Sequence, residues 1–251
     1  MVPEFDIRTE VESVHPDLLR VIWQDEVDGD GIGDNRCYFS LTGTAWPDVA
    51  SLIEAEEALI QRVAEQACDA REFEKLLNQT VDDEYPGEDL DEGPLAEFIM
   101  LDVGVISAVA ALWAAGCIST FSCRGHDTER DSCPHIRFIT DEQRLPFVRQ
   151  AALAARCGLA LDNTGMLELY ANDVLALIRF ARALLALQTA LNSIGTTVAG
   201  ERPEDNYLDG YDPIVRRRDL ADIWDKMEAE QPWRCDGQLS LFDRDRIATD
   251  K

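Results

Sequence analysis

The chain has 251 residues, of which 46% are hydrophobic and 29% are charged, a composition that excludes an intrinsically disordered or collagen-like protein. Its length allows one large domain or two modest ones. The formal net charge is −26, and residues 1–100 carry 26 acidic side chains against 6 basic ones. Because an acidic surface repels phosphate backbones, direct binding to duplex DNA is disfavoured, whereas a basic protein partner, imitation of the charge of a nucleic acid, or a merely solvated surface is compatible with this charge.

The cysteines and the first residues predict a cytoplasmic protein with reduced thiols. Seven cysteines, an odd number at scattered positions, do not form a disulfide framework. Met1-Val2-Pro3-Glu4 opens the chain without the basic and apolar segments of a signal peptide. The uncharged run at residues 103–118 is too short to span a bilayer, so we predict a buried helix there and no membrane partner.

Residues 1–80 predict an acidic region made of a hairpin and a helix. Two strands, at 18–23 and 36–41, flank a segment rich in Gly and Asp. This segment resembles a calcium loop, but Phe39 stands where that loop requires a bidentate Glu, so a hairpin turn is predicted. Apolar residues at helical spacing then predict one helix over 46–77. Residues 81–94 are acidic and predict a linker or loop that separates two regions.

Residues 95–199 predict an α+β core. Its elements in order are a helix at 95–115, strands at 118–123 and 135–139, a helix at 142–157, two short strands within 159–170, and a helix at 174–192. This order predicts a small, mostly antiparallel sheet packed by helices on one side. Residues 200–251 predict a loop, a short helix and a flexible C-terminal tail.

The predicted hairpin of this core concentrates residues that bind metals. They follow the pattern Cys123-x2-His126-x6-Cys133-x-His135. Zinc takes four such sulfur and nitrogen donors, so these residues are a candidate zinc site. Cys123 is also a candidate nucleophile, with His126 as its base and Arg124 favouring the thiolate. A third interpretation is structural, because free cysteines are common in buried strands.

Near the C-terminus lies the pentapeptide Gln238-Leu239-Ser240-Leu241-Phe242. It resembles, at each of its five positions, the linear motif with which bacterial polymerases and repair factors dock onto the DNA polymerase sliding clamp. The resemblance implies that Gln238 enters a polar subsite, that Leu241 and Phe242 fill an apolar pocket, and that Leu239 supports them. We therefore expect an accessory or regulatory protein of DNA metabolism that is recruited to the clamp. The alternative is docking of the tail onto its own domain.

A second resemblance concerns the core. Ser122-Cys123-Arg124-Gly125, followed by a strand, a helix and another strand, is similar to the wyosine-synthesis methyltransferases that act on tRNA. That family carries a basic residue after its Ser-Cys-x-Gly element, and His126 takes this place here. The resemblance implies an enzyme that modifies nucleic acid, with its site at the Cys123/His126 hairpin.

Overall fold

The computed structural model describes residues 1–21, 24, 41–85, 93–126 and 133–195. Its helices are α1 (Trp46–Gln66), α2 (Ala70–Glu84), α3 (Ile106–Ala114), α4 (Leu145–Ala155), α5 (Val174–Ala186) and α6 (Gln188–Leu191). Its strands are β1 (Ile118–Cys123), β2 (His135–Ile139), β3 (Gly158–Leu161) and β4 (Leu167–Tyr170). Short 3-10 turns lie at Pro16–Leu18 and Ala96–Phe98. The predicted α+β class is confirmed.

The four strands form one sheet in the order β1-β2-β4-β3, and each neighbouring pair is antiparallel. Because side chains alternate between the two faces of a strand, one face carries the apolar residues of β2 and β4. These residues, which are all fully buried, are Ile136, Phe138, Leu167 and Leu169. The opposite face carries Phe121, Arg137 and Glu168, which lie side by side across three strands. The alternation in the sequence therefore determines which face meets the helices.

The helices form a layer in which α5 packs against both α3 and α4. Helix α3 also contacts β1, and α4 contacts β3. Helix α1 lies across α3 and α5, and α2 packs on α1. The helix of the acidic region thus shares a hydrophobic core with the sheet-bearing region. Of the linker predicted at 81–94, residues 81–84 belong to α2 and residues 86–92 lie outside the described part of the chain, so the separation of two regions stays a prediction.

Several predicted helices are shorter than the apolar spacing indicated; the one predicted over 174–192, for example, ends at Ala186 and is followed by the separate α6. The helix predicted over 46–77 is interrupted at 67–69, where the side chain of Asp69 accepts a hydrogen bond from the Glu72 amide and starts α2 as a new helix. The helix predicted over 95–115 begins only at Ile106, after a turn that contains Gly104 with φ +113°. A left-handed conformation of this kind favours glycine, so the turn is encoded by that residue.

The predicted N-terminal hairpin lies mostly outside the described residues. Its first predicted strand starts within them, but Leu18 ends a 3-10 turn and the Arg20 amide donates to the Gly165 carbonyl. Upstream, the Glu12 amide donates to Leu159 of β3, which places this segment along the edge of the sheet. None of the described helices combines the length and the apolar character that crossing a membrane requires.

Candidate metal centre

Three side chains with metal-binding donors converge at the end of β1. Asp102, Cys123 and His126 each offer one donor atom, and these three atoms all lie within 4.8 Å of one another. Asp102 comes from the turn before α3, Cys123 is the last residue of β1, and His126 follows it in the chain. All three residues are partly buried. The fold therefore gathers a carboxylate, a thiol and an imidazole at one point.

The turn after β1 brings Cys123 and His126 together. Gly125 has φ +79°, a left-handed conformation that reverses the chain directly after the strand. The Gly125 amide then donates a hydrogen bond to Cys123 Sγ over 3.4 Å. A backbone N–H directed at sulfur favours the thiolate, which is the form that binds metals. The local sequence Cys-Arg-Gly-His thus determines the turn and also supplies the sulfur and nitrogen donors beside it.

Asp102 and the turn that carries it contact two other parts of the molecule. The Arg124 amide donates to Asp102 Oδ2 over 3.3 Å, which joins the turn before α3 to the end of β1. Two residues further on, Gly104 packs so closely that an added Cβ would lie 2.8 Å from the Val174 side chain. Such a contact would force a shift, so glycine keeps the Asp102 turn against α5 as well.

Glu56 of α1 anchors the segment that follows Asp102. It is fully buried, and its two carboxylate oxygens accept hydrogen bonds from the backbone amides of Gly104, Ile106 and Ser107. The Ser107 hydroxyl donates to it as well. These amides belong to the start of α3, so Glu56 caps that helix from another helix. The position of Asp102 is therefore fixed by a residue 46 positions earlier in the chain.

A carboxylate of α2 contacts the histidine. Glu74 Oε1 lies 3.0 Å from His126 Nδ1 and 2.6 Å from Arg124 Nη2. Arg124 Nη2 also donates to Asn78 Oδ1, one helical turn further along α2. Burial raises the pKa of Glu74, but the hydrogen bonds and charges of Arg124 and His126 outweigh it and hold the pKa below its usual value. Glu74 is therefore ionised at neutral pH.

This arrangement fits zinc. Zinc bonds of about 2.0–2.3 Å place tetrahedral donors about 3.3–3.8 Å apart, so donor atoms that lie within 4.8 Å need to approach by about 1.0–1.5 Å at most. A metal-binding histidine commonly gives its second ring N–H to a carboxylate, and the Glu74–His126 contact has this form. Because Nδ1 faces Glu74, Nε2 is the ring nitrogen that a metal would take in this arrangement. Sulfur, nitrogen and oxygen together are a borderline donor set that suits zinc.

The other two predicted ligands do not belong to this group of three. Burial, and then the charge of Glu168, raises the pKa of the Cys133 thiol to about 11, so Cys133 is protonated at neutral pH. His135 Nδ1 lies 2.8 Å from the Cys133 carbonyl, and its ring stacks on Phe121. Burial lowers the pKa of His135. The four-residue zinc site stays a prediction, while the described geometry favours Asp102 as the third donor.

The Cys123/His126 pair is also compatible with the predicted nucleophile and base, since their donor atoms satisfy the same 4.8 Å limit. The Glu74 contact orients His126 equally well as a metal ligand or as a base, so the feature that favours a metal is Asp102, a third donor beside Cys123 and His126. Asp102 and Glu74 are not singled out by the sequence pattern. The clamp-like pentapeptide, Gln238 to Phe242, lies outside the described residues.

Comparison with known protein families, with curated proteins and with solved structures finds no match to this chain.

Proposed function

We propose that this chain binds one zinc ion through Asp102, Cys123 and His126. The observation that carries the proposal is the convergence of these three donors within 4.8 Å at the end of β1. The support around them is of the kind that metal ligands have: an amide on the sulfur and a carboxylate behind the histidine. Three protein ligands leave a fourth position for water or substrate, and zinc in such a site supplies Lewis-acid chemistry.

The test is zinc content after purification without chelators. We expect about one zinc per chain, a lower melting temperature after chelation, and loss of the metal in Cys123→Ala and His126→Ala. Cys68→Ser is the matched control, because Cys68 is an exposed free thiol away from the site. Absence of zinc in the wild-type protein, together with rapid alkylation of Cys123, would favour the nucleophile instead.

A second candidate function follows from the C-terminal pentapeptide. We propose that Gln238, Leu239, Ser240, Leu241 and Phe242 dock the protein onto the bacterial DNA polymerase sliding clamp in the cytoplasm. The supporting observation is the five-residue resemblance, in which two large apolar side chains stand in a mostly polar segment. On this proposal the acidic region binds a basic protein near the clamp. The zinc site either catalyses a reaction there or stabilises the domain that is recruited.

Calorimetry with purified bacterial clamp tests this candidate. We expect micromolar binding that Leu241→Ala/Phe242→Ala abolishes. Ile247→Ala, an apolar substitution in the same terminal segment but outside the pentapeptide, is the control and should bind like wild type. If wild type and the double variant both fail to bind, the pentapeptide is a chance match, and the zinc proposal is unaffected.

A further inference from the structure

We propose that helix α2 is the supporting shell of the metal site, and that Glu74 couples zinc occupancy to the docking of this helix. The inference rests on the proposed zinc site and adds to it a residue that positions the ligand and an element that responds to the metal. It follows from the contacts of Glu74, from their burial, and from the small apolar surface with which α2 is otherwise held.

The contacts of Glu74 join three parts of the molecule. Its Oε1 atom accepts from Arg124 Nη2, and it pairs with His126 Nδ1. Asn78 accepts from the same Arg124 nitrogen at 2.6 Å. Glu74 and Asn78 are four residues apart and therefore lie on one side of α2. From there both side chains hydrogen-bond to the Cys123–His126 turn. The histidine ring is thus oriented by α2 and not by its own turn alone.

The Arg124–Glu74 ion pair is more buried than an ordinary surface ion pair. The side chains of Arg124 and Glu74 are 8% and 23% exposed, whereas those of Arg62 and Glu84, an ion pair that also involves α2, are 50% and 42% exposed. Exposed pairs contribute little because water and salt screen them, while buried partners are strongly coupled. Loss of Glu74 would leave Arg124 without its anionic partner and would remove the carboxylate from His126 Nδ1.

The docking of α2 depends on this network. Of the fifteen residues of α2, Phe73 and Leu77 are buried apolar side chains, and Leu76 and Val81 are partly buried against the same core. Among the other helices, α2 packs mainly on α1. A helix held by two buried and two partly buried apolar side chains is stabilised further by polar contacts to its neighbours. Zinc on His126 would fix the ring that Glu74 holds, so metal binding stabilises the docked helix, and the docked helix raises metal affinity by the same factor.

Zinc affinity, measured by competition with a chromophoric chelator, tests the coupling. We expect Glu74→Ala to weaken binding about ten- to a hundred-fold, which is typical for the loss of a carboxylate behind a metal-bound histidine. Glu84→Ala is the matched control, since it removes a carboxylate–arginine pair from the same helix without touching the histidine, and its affinity should stay within about two-fold of wild type. Glu74→Gln keeps the side-chain size, and its zinc affinity should lie between those of Glu74→Ala and Glu84→Ala.

Hydrogen exchange gives the second readout. In wild type, zinc should slow exchange of the amides in residues 70–84, and in Glu74→Ala this protection should disappear even at saturating zinc. A third readout does not require metal: long-range nitrogen–proton NMR of wild type should show His126 with its proton on Nδ1. That tautomer shows specific orientation of the ring, which a merely stabilising role of Glu74 would not require.

The outcomes separate this inference from the proposal on which it rests. If wild type binds no zinc, the proposed function falls. If wild type binds zinc and both Glu74 variants bind it equally well, the site stands and the role of α2 is wrong. If Glu74→Ala does not fold, Glu74→Gln and the tautomer measurement decide, and a proton on Nε2 would overturn the inference.

Discussion

Glu168 illustrates, at the scale of one residue, how burial governs chemistry on the second face of the sheet. Only 6% of the residue is exposed, and no described residue hydrogen-bonds its buried Oε2 oxygen. It lies beside Arg137 across β2 and β4, but Arg137 forms its ion pair with Asp162 instead. Burial raises the pKa of Glu168 to about 7; the Arg137 charge opposes the rise and the Asp162 charge adds to it.

The raised pKa predicts that Glu168 destabilises the fold as pH increases. Its contribution to the free energy of unfolding is present below about pH 4.5, and it is lost as the folded state releases its proton near pH 7. A shift of this size corresponds to about 2–4 kcal/mol. Glu168→Gln mimics the protonated form and does not lose stability by ionising. The free energy of unfolding of the variant, relative to that of wild type, should therefore increase by about that amount from pH 5 to pH 8.

Urea unfolding of both proteins at pH 5 and pH 8 measures the difference. Glu97→Gln is the control, because Glu97 is exposed and its removal should change stability equally at both pH values. If the difference in free energy of unfolding between Glu168→Gln and wild type is the same at pH 5 and pH 8, the pKa of Glu168 is not raised.

At the scale of elements, the start of α3 depends on α1 through Glu56. Three backbone amides and one hydroxyl point at its carboxylate. Burial raises the pKa of Glu56, while the hydrogen bonds from Ser107, Gly104 and Ile106 lower it, and the balance lies above the ordinary value. Because both oxygens accept from amides that cannot reverse their role, the carboxylate is the form that satisfies the site.

We therefore predict that Glu56→Gln is almost as damaging as Glu56→Ala. Glutamine can accept with its one oxygen, but its NH2 group would face the Ser107 amide, donor against donor. Each buried amide left without an acceptor costs about 1–3 kcal/mol, so we expect losses of about 3–5 kcal/mol for Ala and about 2–4 kcal/mol for Gln in chemical denaturation. Glu57→Gln, in the neighbouring exposed pair with Arg182, should change stability by less than about 1 kcal/mol. A Glu56→Gln variant as stable as wild type would mean that the folded protein holds this residue protonated.

The elements also show which features can be predicted from local sequence. The strands Ile118–Cys123 and His135–Ile139 match their predicted bounds, because alternation and flanking turn residues are local signals. The break between α1 and α2 was signalled by Asp69 followed by Glu72, a capping pattern, although the apolar spacing favoured one continuous helix. Helical periodicity alone does not locate the point at which a helix is interrupted.

For a related reason, the sequence predicts two residues of the candidate site but not the two carboxylates beside them. Cys123 and His126 stand three residues apart, so their convergence follows from one turn and is visible in the sequence. Asp102 and Glu74 come from segments that approach only when Glu56 and Arg124 make their contacts, across 46 or more positions of the chain. Glu74 resembles any acid on the polar face of a helix. Long-range contacts of this kind leave no periodic or spacing signal.

At the scale of the whole molecule, the net charge of −26 is the dominant feature. Like charges on a compact chain repel one another, and expansion on unfolding relieves this repulsion. Salt shortens the range of the repulsion to about 8–10 Å at 0.10–0.15 M, which favours the folded state. We predict that the melting temperature at neutral pH rises by about 5 °C between 10 mM and 500 mM sodium chloride, which corresponds to about 1–2 kcal/mol for a chain of this size.

The control for this prediction is the same salt series at pH 5, closer to the isoelectric point of about 4.3. There the net charge is smaller, so screening has less repulsion to remove and the rise should shrink to about half or less. Metal content must be equal in both series, because a change in occupancy of the proposed zinc site would shift the melting temperature by mass action. If the rise is equal at both pH values, salt acts by strengthening apolar burial, and charge repulsion is not what limits the stability of this fold.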